Sequence, residues 1–133
     1  MKTMKNKILT KIEDIKKIAK EISKIRNVKA IYLFGSHATG KANLLSDIDL
    51  CIIGNLNKKE ETKVFGYSTD NLDISLFNNL PVWIQVRVFK EGKPIVVKDI
   101  NFVNRIKIKT LREYLDFKYI INKYCEEILG CTI

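Results

Sequence analysis

Two acidic residues, Asp47 and Asp49, stand two apart in the run Ser46-Asp47-Ile48-Asp49-Leu50-Cys51-Ile52-Ile53. Side chains alternate along a strand, so both carboxylates point to one face while Ile48, Leu50 and Ile52 point to the other. Carboxylates crowded in an apolar strand repel each other and resist ionisation unless a cation joins them. An oxygen-only donor set favours a hard divalent ion such as magnesium, which keeps waters and substrate phosphates among its ligands. Gly35-Ser36, with ten residues between it and Asp47, comes directly after the apolar run Ala30-Ile31-Tyr32-Leu33-Phe34. Gly35 has no side chain to keep a ligand away from the backbone. Ser36 offers a hydroxyl, and free N–H groups in such a turn face phosphate oxygens. Metal carboxylates beside a phosphate cradle describe phosphoryl or nucleotidyl transfer. No Cys or Ser is paired with a base here, so a covalent enzyme intermediate is not suggested.

The neighbouring segments must hold these groups in place. Residues 6–27 read as a helix, because Ile8, Ile12, Ile15, Ile18, Ile22 and Ile25 recur at threes and fours with lysines between them; Asn27 suits its end. Residues 28–34 read as a strand apolar on both faces. Residues 55–61 are polar and read as a loop with at most a helical turn, and residues 63–67 as a short strand. Leu72, Ile74 and Leu76 alternate with Asp73 and Ser75, a strand with one apolar face. Asp73 is thereby the natural third carboxylate. Asp70 competes with it but falls in the turn-like Ser68-Thr69-Asp70-Asn71. Pro81 opens a helix over residues 82–90 that Gly92 stops, and its apolar content implies a largely buried element. Residues 93–98 form a short strand that Pro94 places at a sheet edge. Asn101 caps a long final helix, residues 102–129, ending at Gly130. Its apolar residues spread over more than one face, which fits core packing and the docking of a partner or second copy equally.

The order Gly35-Ser36, ten residues, Asp47-Ile48-Asp49 resembles the signature of the nucleotidyltransferase superfamily related to DNA polymerase beta. With Ala38, Gly40 and Ser46 to Leu50 it resembles in particular the minimal nucleotidyltransferases, the MNT group, over most of the chain. That resemblance implies an α/β (α+β) nucleotidyltransferase fold: a small mixed sheet flanked by helices, with a long C-terminal helix. It implies catalysis by Asp47, Asp49 and Asp73, which hold two Mg2+ ions (or Mn2+), and nucleotide binding at Gly35 and Ser36. The substrate is ATP. The acceptor, by the same resemblance, is a tyrosine hydroxyl of a cognate HEPN ribonuclease toxin, so that the chain is a protein adenylyltransferase acting as an antitoxin. Antitoxin action by contact alone, and transfer to RNA or a small molecule, are the alternatives. Related sequences often carry Arg where this one has Thr39, which leaves nucleotide contact from that position to Lys41 or His37. His37, the single histidine, otherwise reads as a polar turn residue.

The chain has 133 residues, 46% hydrophobic and 29% charged, which suits one soluble domain over residues 1–133 with its own core. No apolar run approaches the roughly 20 residues of a membrane span, and the basic start is not followed by a signal-like apolar stretch. Three cysteines, Cys51, Cys125 and Cys131, lack metal spacing and fit free thiols in a cytoplasmic protein. The net charge of +9 favours an acidic protein partner or ATP over a nucleic acid, because the lysines are scattered and not interleaved with aromatics. A homodimer and a hetero-oligomer with the toxin both fit.

Overall fold

The computed structural model describes residues 4–35, 48–69 and 71–130, with side chains from Glu13 onward. Four strands make one mixed sheet: β1 (Val28–Phe34), β2 (Ile48–Gly54), β3 (Leu72–Leu76) and β4 (Lys93–Val97). Their order across the sheet is β3-β2-β1-β4. β1 runs antiparallel to both of its neighbours, whereas β2 and β3 are parallel. Among the described residues the helices are α1 (Met4–Ile22), α2 (Lys58–Phe65), α3 (Val82–Glu91) and α4 (Ile100–Leu129), with one 3-10 turn at Phe77–Asn79. The α/β architecture with a long C-terminal helix is as the sequence predicts.

Strand alternation sorts the core into two halves. One face of the sheet, with Val28, Ile31, Ile48, Leu50, Ile52, Leu72, Ile74 and Leu76, packs on Ile15, Ala19 and Ile22 of α1. The other face, with Ala30, Tyr32, Cys51 and Ile53, packs on Phe77, Val88 of α3 and Val103 of α4. Phe89 joins this second half edge-on to Tyr32 at 5.5 Å and tilted against Phe77 at 5.1 Å. The result is a three-layer sandwich with the sheet in the middle.

Five local readings change. The first helix stops at Ile22, not at Asn27. The chain then tightens through short bonds from Lys24 N to Glu21 O, Ile25 N to Ile22 O and Val28 N to Ile25 O, which turn it into β1. Lys98 Nζ donates to Ser23 O at 2.6 Å and, beside Val28 N, to Ile25 O at 3.0 Å, which ties the turn after this helix to the end of β4. The stretch read as a loop and short strand, residues 55–67, contains α2 instead. Asn57 Oδ1 accepts from Glu60 N at 2.9 Å while Glu60 Oε1 accepts from Asn57 N at 3.0 Å, a capping box that starts the helix. Pro81 occupies the cap of α3 and not its first turn, and only Val88 of that helix is fully buried. Trp83 is 49% exposed, its ring stacked on Phe117 at 5.2 Å. Asp99, not Asn101, caps α4 by accepting from Phe102 N at 3.0 Å. β4 is the edge strand that Pro94 predicts, and Gly130 ends α4 in the left-handed conformation (φ 65°) that glycine tolerates.

Candidate active site

The turn after β1 and the start of β2 meet because the two strands are antiparallel: Phe34 pairs with Asp49. Gly35 therefore lies beside Asp49, at φ 82°, a conformation that side chains strain. A Cβ built on Gly35 would stand 2.5 Å from Asp49 Oδ2. Glycine is thus needed here both for its backbone conformation and for the space the carboxylate takes.

The third element is β3. It pairs with β2 in parallel register, Asp49 opposite Asp73 and Cys51 opposite Ser75. Register partners point to one side of a sheet, about 4.8 Å apart, so Asp49 and Asp73 share a face as neighbours. Alternation places both on the face away from α1, since Ile48, Leu50, Leu72 and Ile74 are buried against it. Asp49 is half-buried and Asp73 exposed, which leaves the pair open to solvent from the strand ends. A backbone bond from Ile48 N to Asn71 O at 2.9 Å ties the entry of β2 to that of β3.

Of the predicted site residues, Gly35, Asp49 and Asp73 come together at one end of the sheet, where β1 finishes and β2 and β3 begin. Ser36 and Asp47 lie outside the described residues, as do His37, Thr39, Lys41 and Asp70. Among the described residues no group of three or more His, Cys, Asp or Glu is placed to hold a metal ion. Cys51, two residues after Asp49 on the same face, is wholly buried, and desolvation pushes its thiol up to about 12. A thiol held protonated is no nucleophile.

A cavity of about 800 Å3 that the sequence does not announce opens between α1 and β4, lined by Lys16, Lys20, Leu33, Ile48, Lys93 and Ile95. It lies on the other side of the sheet, because Leu33 and Ile48 alternate with Phe34 and Asp49.

The profile of the polymerase beta nucleotidyltransferase family matches residues 13–101, from within α1 to the start of α4 and including the turn and all four strands. The chain belongs to this family. Among relatives of this nucleotidyltransferase, a Methanocaldococcus jannaschii protein provisionally named a protein adenylyltransferase is 25% identical over 120 residues, covering 77% of this chain and 98% of that protein. Among solved structures, a chain from a toxin–antitoxin complex with AMP-PNP aligns with a TM-score of 0.65 at 19% identity, covering 93% of this chain and 97% of that one. A chain from a Shewanella oneidensis complex of a tri-AMPylated HEPN toxin with an MNT antitoxin aligns with a TM-score of 0.61 at 17% identity, covering 88% and 94%. At such identities the shared property is the nucleotidyltransferase fold. No described helix is long and apolar enough to cross a membrane.

Proposed function

We propose that this nucleotidyltransferase moves the adenylyl group of ATP to a tyrosine hydroxyl of a cognate HEPN toxin and so acts as an antitoxin. The observation that carries the reading is the register of Asp49 and Asp73 beside the Gly35 turn. The name of the archaeal relative and the modified toxin in the Shewanella complex support the choice of reaction and partner. AMP-PNP in another fold neighbour supports ATP as the donor. Free, reduced thiols suit a cytoplasmic setting.

The carboxylates fit a hard divalent ion: they offer oxygen donors only, on adjacent strands, and their charges repel unless a cation joins them. Asp49 and Asp73, with Asp47 two residues before Asp49 in the sequence, would hold magnesium or manganese. When bound, the metal neutralises phosphate charge and lowers the cost of deprotonating the acceptor. The chain's own contribution is placement. Gly35 keeps the backbone at the turn low enough for triphosphate to approach, and Ser36 offers a hydroxyl. In the transfer, the phenolic oxygen bonds to the α-phosphorus as the bond to the bridging oxygen of the β-phosphate breaks. Pyrophosphate leaves with that electron pair. Asp73, exposed to solvent, takes the phenolic proton and passes it to water. Catalysis by orientation and charge suffices, without a covalent intermediate.

The experiment is to incubate the chain with its toxin and ATP labelled at the α-phosphate. Wild type should add label to a toxin tyrosine, read by mass spectrometry, and EDTA should stop it. Asp49→Asn, nearly isosteric, should lower the rate at least about a hundredfold, roughly 2.7 kcal/mol of transition-state stabilisation. Unmodified toxin that is nonetheless neutralised by wild type and Asp49→Asn alike would overturn transfer as the antidote.

A further inference from the structure

The proposed transfer makes no use of the cavity between α1 and β4. Its floor is aliphatic: Ile15 of α1, Leu33, Ile48 and Ile95 wall one hollow of about 800 Å3. Leu33 and Ile95 are only partly buried, so apolar surface is left facing it. A hollow of several hundred Å3, mostly apolar with a few charged groups, has the form of a small-ligand site. The charge here has one sign. Lys16 and Lys20, one turn apart on α1, and Lys93 on β4 are exposed lining residues, with no carboxylate among the described lining. No ion pair among the described residues involves any of the three.

We propose that this cavity binds a long-chain carboxylate, its hydrocarbon tail against Ile15, Leu33, Ile48 and Ile95 and its head among Lys16, Lys20 and Lys93. The character of the lining favours this chemistry over others. No aromatic residue in the described lining offers a nucleobase a stacking platform. The one lining hydroxyl, Ser23 Oγ, already donates to Lys20 O. The ammonium groups are therefore the uncommitted side-chain donors, which suits an anion at the mouth and hydrocarbon within. A peptide added along β4 is disfavoured, because Pro94 lacks an N–H and Lys93 and Lys98 stand at the strand's two ends, devices that protect a sheet edge. A hollow walled by α1, β1, β2 and β4 also differs from the flat face that a partner helix would cover. The site is separate from the carboxylates, since Leu33 and Ile48 turn to the α1 face while Phe34 and Asp49 turn away from it. It does not rest on the adenylyl-transfer reading.

Titration of the full chain with cis-parinaric acid, whose fluorescence rises in apolar surroundings, tests this below the concentration at which the probe aggregates. The signal should saturate at one probe per chain, and laurate should displace it. Decanoate, two methylenes shorter, should compete about tenfold less well or worse, since each buried methylene changes affinity roughly fourfold. Dodecanol, the uncharged counterpart of laurate, should also compete at least tenfold less well. Lys16→Glu combined with Lys20→Glu should weaken laurate at least tenfold, with far-UV circular dichroism unchanged because both side chains are exposed. Ile95→Trp should fill the hollow and remove binding while the thermal transition stays cooperative. A chain that never raises the probe's fluorescence overturns the proposal. So does binding that the paired lysine variant leaves unchanged, or competition in which laurate and dodecanol are alike. Displacement of the probe by ATP and not by laurate would make the cavity a nucleotide site and overturn it too.

Discussion

Gly35 shows how one residue type can carry two requirements of a site. Its φ of 82° and the 2.5 Å that a Cβ would leave to Asp49 Oδ2 both exclude side chains. Gly35→Val should therefore displace the Asp49 carboxylate and strain the turn. ATP affinity by calorimetry should fall at least tenfold, while the melting transition stays cooperative, since the core clusters do not include this turn. Asp73→Asn should abolish transfer yet leave stability within about 0.5 kcal/mol, because Asp73 is an exposed residue. Cys51 offers a different residue-scale test. Its thiol lies at about 12 when folded against an ordinary value of 9.0, so the folded chain binds the proton more tightly than the unfolded one. That stabilisation is complete below pH 9 and drains away as pH rises toward 12. In native protein at pH 8 the Cys51 thiol should be inert to Ellman's reagent, while half-buried Cys125 reacts.

At the scale of elements, α2 owes its start to a few polar contacts. Glu60 Oε1 accepts from Asn57 N and also from Asn27 Nδ2 at 2.7 Å, so one carboxylate caps α2 and ties it to the turn before β1. These bonds, first the one from the Asn57 backbone, hold the Glu60 carboxyl below its usual range. They favour the charged form, so their contribution is present above the unfolded value and is lost as pH falls through the folded one. Asn57→Ala should cost about 1 kcal/mol in urea unfolding, the ordinary loss for a cap. Glu60→Gln should cost less than Glu60→Ala, because an amide oxygen still accepts a bond. Buried positions behave differently. Ile52→Ala, 1% exposed between α1 and the sheet, should cost about 2–5 kcal/mol without touching the carboxylates.

For the whole molecule, the described core ends where α4 stops being buried, at Thr110. A chain shortened after Lys118 retains every residue that is buried among those described, and the Trp83–Phe117 stack. Its unfolding free energy should match wild type to within about 0.5 kcal/mol, and its ATP affinity should be intact. Protection of cells from the toxin divides in another way. Asp49→Asn should still bind the toxin but fail to protect, since the substitution alters the carboxylate edge and not the helices on either side of the sheet.

The sequence by itself determined the parts whose signals are local. Val28–Phe34 reads as a strand from its apolar run, Leu72–Leu76 from its alternation, and Gly35 with Asp49 from a motif whose spacing already implies a turn between paired strands. The choice of Asp73 as a site candidate also came from alternation within one segment. Which strands lie side by side, and how far each element runs, depends on contacts between segments far apart in the chain. Parallel pairing of β2 with β3 puts Asp49 opposite Asp73, and a shift of one residue would turn Asp73 to the α1 face. The end of α1 and the surroundings of Trp83 involve contacts with distant residues, Lys98 and Phe117. α2 was hidden because its polar residues match a loop in composition, and only Val64 among them is buried. The apolar spread on α4 fitted core and docking surface alike, since periodicity records that a face is apolar and not what lies against it. Burial is a property of the packed chain, and it assigns the distal half of that helix to the outside.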